Sequence, residues 1–252
     1  MCAAPRLRLR QPPTDGQTLR RSHVAIVAFL AFGSAPALAA ERGFTVTDFD
    51  RIRLEAPYQV TLETGRSSTA RASGDREAHD RVRLDVQGRT LVIRADSRDW
   101  GGFPGRTSAA GPVILRLSTQ ALRGVTLIGS GALSVNRLRG ERFAGTLDGS
   151  ASFAADGIAV DRFELVATGS SSARLAGTAR MVGAIVRGSA RIEGAQLLAN
   201  DLTLTTQSSD RVALAARTSA KVQSTGSGET VIAGRPACTV SAVGSGSVSC
   251  GR

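Results

Sequence analysis

From Phe44 onward, apolar and polar residues alternate with a period of two, the pattern of half-buried strands. Phe44, Val46 and Phe49 lead in, Ile52 and Leu54 follow, and Val60 and Leu62 resume the alternation after Pro57. Residues 74–80 carry no apolar stripe. Val82, Leu84 and Val86 then face one way while Arg81, Arg83 and Asp85 face the other. Gln87-Gly88-Arg89 supplies a turn, and Leu91 and Ile93 return on the buried side, so a hairpin is predicted. A loop rich in glycine and small polar residues, 96–112, separates this hairpin from a further strand at Val113–Leu117.

Beyond Leu122 the pattern becomes periodic at a larger scale. Small-residue triplets centred on Ser130, Ser150, Ser170, Ser189, Ser208, Ser227 and Ser245 follow one another at steps of 20, 20, 19, 19, 19 and 18 residues. A period near twenty with strand-like filling is the mark of a solenoid, each repeat being one coil stacked on the last. Three residues before each serine stand Leu127, Leu147, Ala167, Val186, Thr205, Ser224 and Ala242; three after stand Leu133, Phe153, Ala173, Ile192, Arg211, Thr230 and Val248. These are the expected interior columns of a narrow stack, with coils ~4.8 Å apart. The triplets read as coil corners: glycine permits a sharp turn, and the serines are expected to form a ladder along one edge. A glycine-rich phosphate cradle would need a strand-to-helix transition and usually a lysine, and the pattern offers neither. The expected fold is all-β, a β-solenoid-like stack of about seven coils over 121–252, with an N-terminal strand region over 40–120 packed on it.

Residues 1–39 read as a signal peptide. Arg20 and Arg21 precede a short apolar run, Val24–Phe32, and Ala37-Leu38-Ala39 gives a small-x-small cleavage site. General secretion is preferred to twin-arginine export, and a start downstream of Met1 fits the long basic region. No second apolar run of spanning length follows, so residues 40–252 are expected to be periplasmic or secreted, as one domain without a transmembrane segment. That compartment is oxidising, and Cys238 and Cys250 remain after cleavage, so a disulfide within the last coil is expected.

The formal charge is +11, and the leader holds five arginines and one aspartate, leaving 27 basic and 20 acidic residues. All but Lys221 of the basic residues are arginine, a bias that base composition alone produces. The functional counterpart is attraction to an anionic glycan or envelope surface. Nucleic acid is disfavoured by export, by interspersed acids and by the scarcity of aromatics for stacking.

No catalytic constellation accompanies the repeats. His79, with Glu77 and Asp80 nearby, reads as a solvated turn before it reads as a metal ligand, and no nucleophile-elbow motif accompanies it. Asp148, Asp156, Asp161, Asp201 and Asp210, with Arg174, Arg187 and Arg191, offer the acids and arginines of a polysaccharide-cleaving face. They fall at different places within the coil, and no long inserted loop walls a groove. No catalytic, metal or cofactor site is therefore expected. Trp100 and Phe103 have two readings, a cap folded over the open end of the stack, which is preferred, and an aromatic docking loop.

Taken in order, Phe49–Leu54, Tyr58–Leu62, the polar stretch 75–82, Gly88–Ile93 and the repeated Gly-Ser-Gly coils resemble the head GIN domain, a bacterial family labelled as an auto-transporter adhesin. The resemblance runs from about Phe44 to Gly251 and implies a right-handed β-solenoid of short strands, with no established activity or binding residues to carry across. Cys238, Cys250 and the loop around Trp100 depart from the family pattern. The functional expectation is an exported, non-enzymatic module that binds envelope or extracellular glycan or protein partners. The alternatives are a self-associating scaffold, hence a homo-oligomer, and last a polysaccharide-active enzyme.

Overall fold

A computed structural model describes residues 40–74, 80–96 and 113–251. The predicted leader, His79, and Trp100 with Phe103 lie outside the described residues. Seven strands precede the repeats: β1 (Ala40–Phe44), β2 (Arg51–Leu54), β3 (Gln59–Thr64), β4 (Thr69–Gly74), β5 (Val82–Gln87), β6 (Thr90–Ala95) and β7 (Ile114–Thr119). The repeats supply β8 (Gly124–Gly129), β9 (Ala132–Val135), β10 (Leu138–Gly149), β11 (Ser152–Ala167), β12 (Ser172–Gly188), β13 (Arg191–Ser208), β14 (Val212–Ser224), β15 (Glu229–Gly234), β16 (Ala237–Ala242) and β17 (Ser247–Cys250). All of them join one wound sheet. Its repeat part stacks in parallel as about six turns of a solenoid.

The pairing registers define the interior. One column runs Leu127, Leu147, Ala167, Val186, Thr206, Ser224, Ala242, and a second runs Leu133, Phe153, Ala173, Ile192, Val212, Thr230, Val248. Both agree with the sequence columns except in the fifth coil, where Thr206 and Val212 replace Thr205 and Arg211. The coil step there is 20 residues, since Val186 pairs with Thr206, so every position shifts by one. The shift keeps the Arg211 charge at the surface and puts Val212 in the core with none of its surface exposed. Large side chains concentrate in the early coils, where Phe143 stacks on Phe163 at 5.3 Å between ring centroids and on Phe153 at 5.8 Å.

The N-terminal strand region does more than pack on the stack, because part of it is stack. β2 lies between β6 and β8, parallel to both, and β3 lies likewise between β7 and β9. The layer made of residues 51–64 is therefore slotted between the layer of β6 and β7 and the first repeat coil. Interior columns continue through it: Ile93, Leu54 and Leu127 align, as do Leu91, Ile52 and Val125. Asp50 clasps the three layers. Its backbone N–H donates to the Arg89 carbonyl at 3.0 Å, its carbonyl accepts from the Arg123 N–H at 2.7 Å, and its carboxylate meets Arg89 Nε at 2.9 Å.

Outside the layer of β6 and β7 the pairing turns antiparallel, β5 on β6, β4 on β7 and β1 on β4. The β5–β6 hairpin turns at Gly88-Arg89, as the alternation predicts, with Gly88 at φ 62°. Ala70, Ala72 and Val82 from these covering strands are buried in the core. At the other end, β16 pairs with β14 and β17 with β15. Every residue of β16 is exposed, and Cys238 is bonded to Cys250 across this last layer.

Candidate binding face

At the corners the main chain, more than the serine side chains, ties one coil to the next. Ser150 N–H donates to Gly129 O, Ser170 N–H to Gly149 O and Ser189 N–H to Gly169 O, each at 2.8 Å. This close approach demands glycine. Gly169 has φ +75°, and a Cβ there would lie 2.7 Å from the Gly149 carbonyl oxygen. Ser130, Ser150, Ser170, Ser189, Ser227 and Ser245 are all exposed at these corners. Ser208 is not among them. It pairs with Gly188 and is buried at 2 % exposure, its hydroxyl donating to the Ala190 carbonyl at 2.8 Å. Ser209 takes the corner place instead, with its Oγ 3.0 Å from Ser189 Oγ. The one-residue lengthening of the fifth coil again causes the difference.

The acids and arginines singled out in the sequence do not converge on one point. Thr168 Oγ1 donates to Asp148 at 2.9 Å, Asp161 faces Arg180 at 3.8 Å, and Ser219 Oγ donates to Asp201 at 2.6 Å, on separate strands and columns. Asp156 and Arg187 are exposed elsewhere on the coils. Among the described residues no three metal-ligating side chains cluster.

Arg174, Arg191 and Asp210 do come together, with Arg211, Glu193 and Glu229, which sequence reasoning did not single out. The face that carries them is an outward pair of columns along successive strands. One runs Thr61, Ser134, Ala154, Arg174, Glu193, Ala213. Beside it run Gln59, Ala132, Ser152, Ser172 and Arg191, with Arg211 on the following coil. A register irregularity in β13 opens this face. Gly194 pairs with Leu214, yet Leu198 already pairs with Ala215, so Ala195 and Gln196 bulge outward. The bulge walls a groove of about 500 Å³ whose floor includes Leu175 and Ile192 and whose rim holds the three arginines. A smaller extension of about 290 Å³ continues past Arg174 over Ser172, Ser152 and Ser134.

Each rim arginine is held by an acid. Arg174 meets Glu193 at 3.3 Å, and Arg211 meets Glu229 at 3.7 Å. Arg191 grips both carboxylate oxygens of Asp210 through Nε and Nη2 at 3.0–3.2 Å. The Arg211 backbone N–H and then the Arg191 side chain hold the Asp210 carboxyl below the usual carboxylate range, and Asp210 raises Arg191 further in turn. The groove therefore presents guanidinium N–H groups oriented by neighbouring carboxylates, an amide at Gln196, and a run of serine hydroxyls. This equipment suits recognition of hydroxyl- and carboxylate-bearing chains. Among the described residues that line the groove, the carboxylate is that of Glu193, held by Arg174.

The model of the family described as "putative auto-transporter adhesin, head GIN domain" matches residues 48–236. The chain belongs to this family. The match runs from the slotted N-terminal layer to the foot of the last coil and so covers the whole groove. A search of curated proteins finds no match. Among solved structures, a putative adhesin from Bacteroides fragilis superposes with a TM-score of 0.76 at 18% identity, over 84% of this chain and 96% of the other. A putative lipid binding protein from Parabacteroides distasonis gives 0.61 at 18% identity, over 86% and 98%. A putative adhesin from Parabacteroides merdae gives 0.60 at 18% identity, over the same shares. At that identity they establish the fold.

Proposed function

We propose that this head GIN domain protein is an exported, non-enzymatic binding module of the bacterial envelope, and that its partner is an extended anionic glycan. The observation that carries this reading is the groove. Arginines at its rim, serine hydroxyls along its extension and an apolar floor follow one line across consecutive coils. The family's adhesin description supports a binding role, and the disulfide agrees with an exported compartment. Binding of purified protein to an acidic polysaccharide such as polygalacturonate, followed by calorimetry at rising salt, tests the proposal. Affinity is expected to fall as salt rises and to drop at least tenfold in Arg174→Ala/Arg191→Ala. Salt-independent binding would remove its electrostatic part, and sustained release of reducing ends would replace it with an enzymatic reading.

A second reading, self-association, has its own observation. Residues 237–250 contain no charged side chain, and Val240 in β16 and Val243 just after it stand 44% and 69% exposed. Edges of sheets are normally guarded by charge or proline. Light scattering over a concentration range tests it, and a strict monomer rules the scaffold out.

A further inference from the structure

The column that forms the groove continues beyond it toward the covered end of the stack, and there it meets a like-charge pair. Arg116 of β7 is the register partner of Thr61, and Arg71 of β4 lies directly opposite Arg116 in antiparallel pairing. Directly opposed residues share a face with their Cβ atoms about 4.5–5.5 Å apart, and like charges so placed destabilise the pair. Arg71 has no acidic partner among the described residues. Arg116 has only Glu41 at 3.7 Å, while nearby Glu63 is taken by Arg66 at 3.2 Å. The two arginines line a second groove of about 570 Å³ together with Arg66, Thr61 and Thr69, and its two carboxylates, Glu41 and Glu63, are the ones already engaged by Arg116 and Arg66. An oxyanion between the guanidinium groups converts the repulsion into charge-assisted hydrogen bonds.

We propose that Arg71 and Arg116 form an anion-binding station that, with the Arg174–Arg191 groove, holds one linear acidic glycan along the stack. The proposal rests on the function proposed above and specifies where such a chain lies and how many contacts it makes. Four strand steps separate Arg116 from Arg174, through Thr61, Ser134 and Ala154, which places the stations roughly 19 Å apart at ~4.8 Å per strand. The residues between them are small or hydroxylated, so an extended chain crosses them without a steric or charged obstacle. Two stations on one ligand act through effective concentration, so affinity rises once the ligand is long enough to reach both.

Oligogalacturonates of increasing length, titrated against the full chain, test this. The expected result is a step in affinity of tenfold or more once the oligomer exceeds that span. Arg71→Ala/Arg116→Ala should abolish the step, so that long oligomers bind no more tightly than short ones do at the Arg174–Arg191 groove. Thermal melts of the variant verify folding, and the melting temperature is expected to hold or rise because a repulsion is removed. Arg71→Lys/Arg116→Lys keeps the charge and should retain part of the step. Affinity independent of length, or a step that survives the double alanine variant, overturns the two-station proposal and leaves the binding function standing. Failure of the unaltered protein to bind any oligomer overturns both.

Discussion

The two ends of the stack solve the same problem differently. At one end, the layer of 51–64 is slotted in beside β6 and β7, Asp50 clasps them to the first coil, and antiparallel strands cover the outside. Leu54, Leu62, Leu91, Ile93 and Leu115 are there completely buried. At the other end, β16 lies on the coil before it with every side chain exposed, β17 is only half-buried, and a disulfide joins the two strands. Burial of large apolar residues holds the first end, and a covalent crosslink substitutes for it at the second. A repeat coil cannot bury its own face, so wherever a neighbour is lacking something other than the repeat must supply stability.

The largest expected effect tests that contrast directly. Leu54→Ala or Leu91→Ala should destabilise the protein by about 2–5 kcal/mol in denaturant unfolding, whereas Val240→Ala should change stability by less than about 0.5 kcal/mol. Equal costs would mean that the ends are equivalent after all. Next in size is the disulfide. Its cysteines are 12 residues apart, and replacing both with serine should cost about 2–3 kcal/mol of local stability. Hydrogen exchange should then accelerate across 237–250 and stay unchanged across 51–64. Uniform acceleration would show that the last coil is coupled to the whole stack.

The smallest effect concerns charge at the interleaved end. Glu55 receives Arg94 Nε at 2.6 Å and also pairs with Arg53, so strands β2 and β6 are joined through one carboxylate. The Arg94 hydrogen bond, then that from Arg53, holds the Glu55 carboxyl below its ordinary 4.5. Its stabilisation is therefore complete above pH 4.5 and is lost as pH falls through the lowered value. These groups are partly exposed, so the loss should stay under about 1 kcal/mol. Melting temperatures of the protein and of Glu55→Gln, compared between neutral and acid pH, should converge on acidification. A constant difference would remove Glu55 as the cause.

Much of the fold is legible in the chain because each coil repeats the same demand. An interior column tolerates only apolar or small residues, so Leu127, Leu147 and Val186 announce themselves by spacing. The fifth coil is harder to read because two adjacent serines, Ser208 and Ser209, compete for the marker position. Counting alone picks the wrong one, although the charge of Arg211 at a supposed interior position is a signal that the register is off by one. The interleaving of residues 51–64 has no counterpart in the alternation pattern, since any buried strand of that period would look the same. The candidate face is half legible. Arg174, Arg191 and Asp210 are noticeable as charges, but their grouping depends on the outward bulge at Ala195-Gln196, which only the pairing of β13 with β14 reveals.

The slotted layer has a consequence for the order in which the molecule can be built. Residues 51–64 leave the ribosome, or an export channel, before either neighbouring layer exists. They have nothing to pair with until residues 90–119 and 124–135 arrive. The later coils carry no such dependence, since each can add to its predecessor as it emerges. The segment therefore waits unpaired until the chain has grown to residue 135, and its Ile52, Leu54, Val60 and Leu62 stay uncovered for that interval, a place where a chaperone would act on the nascent protein.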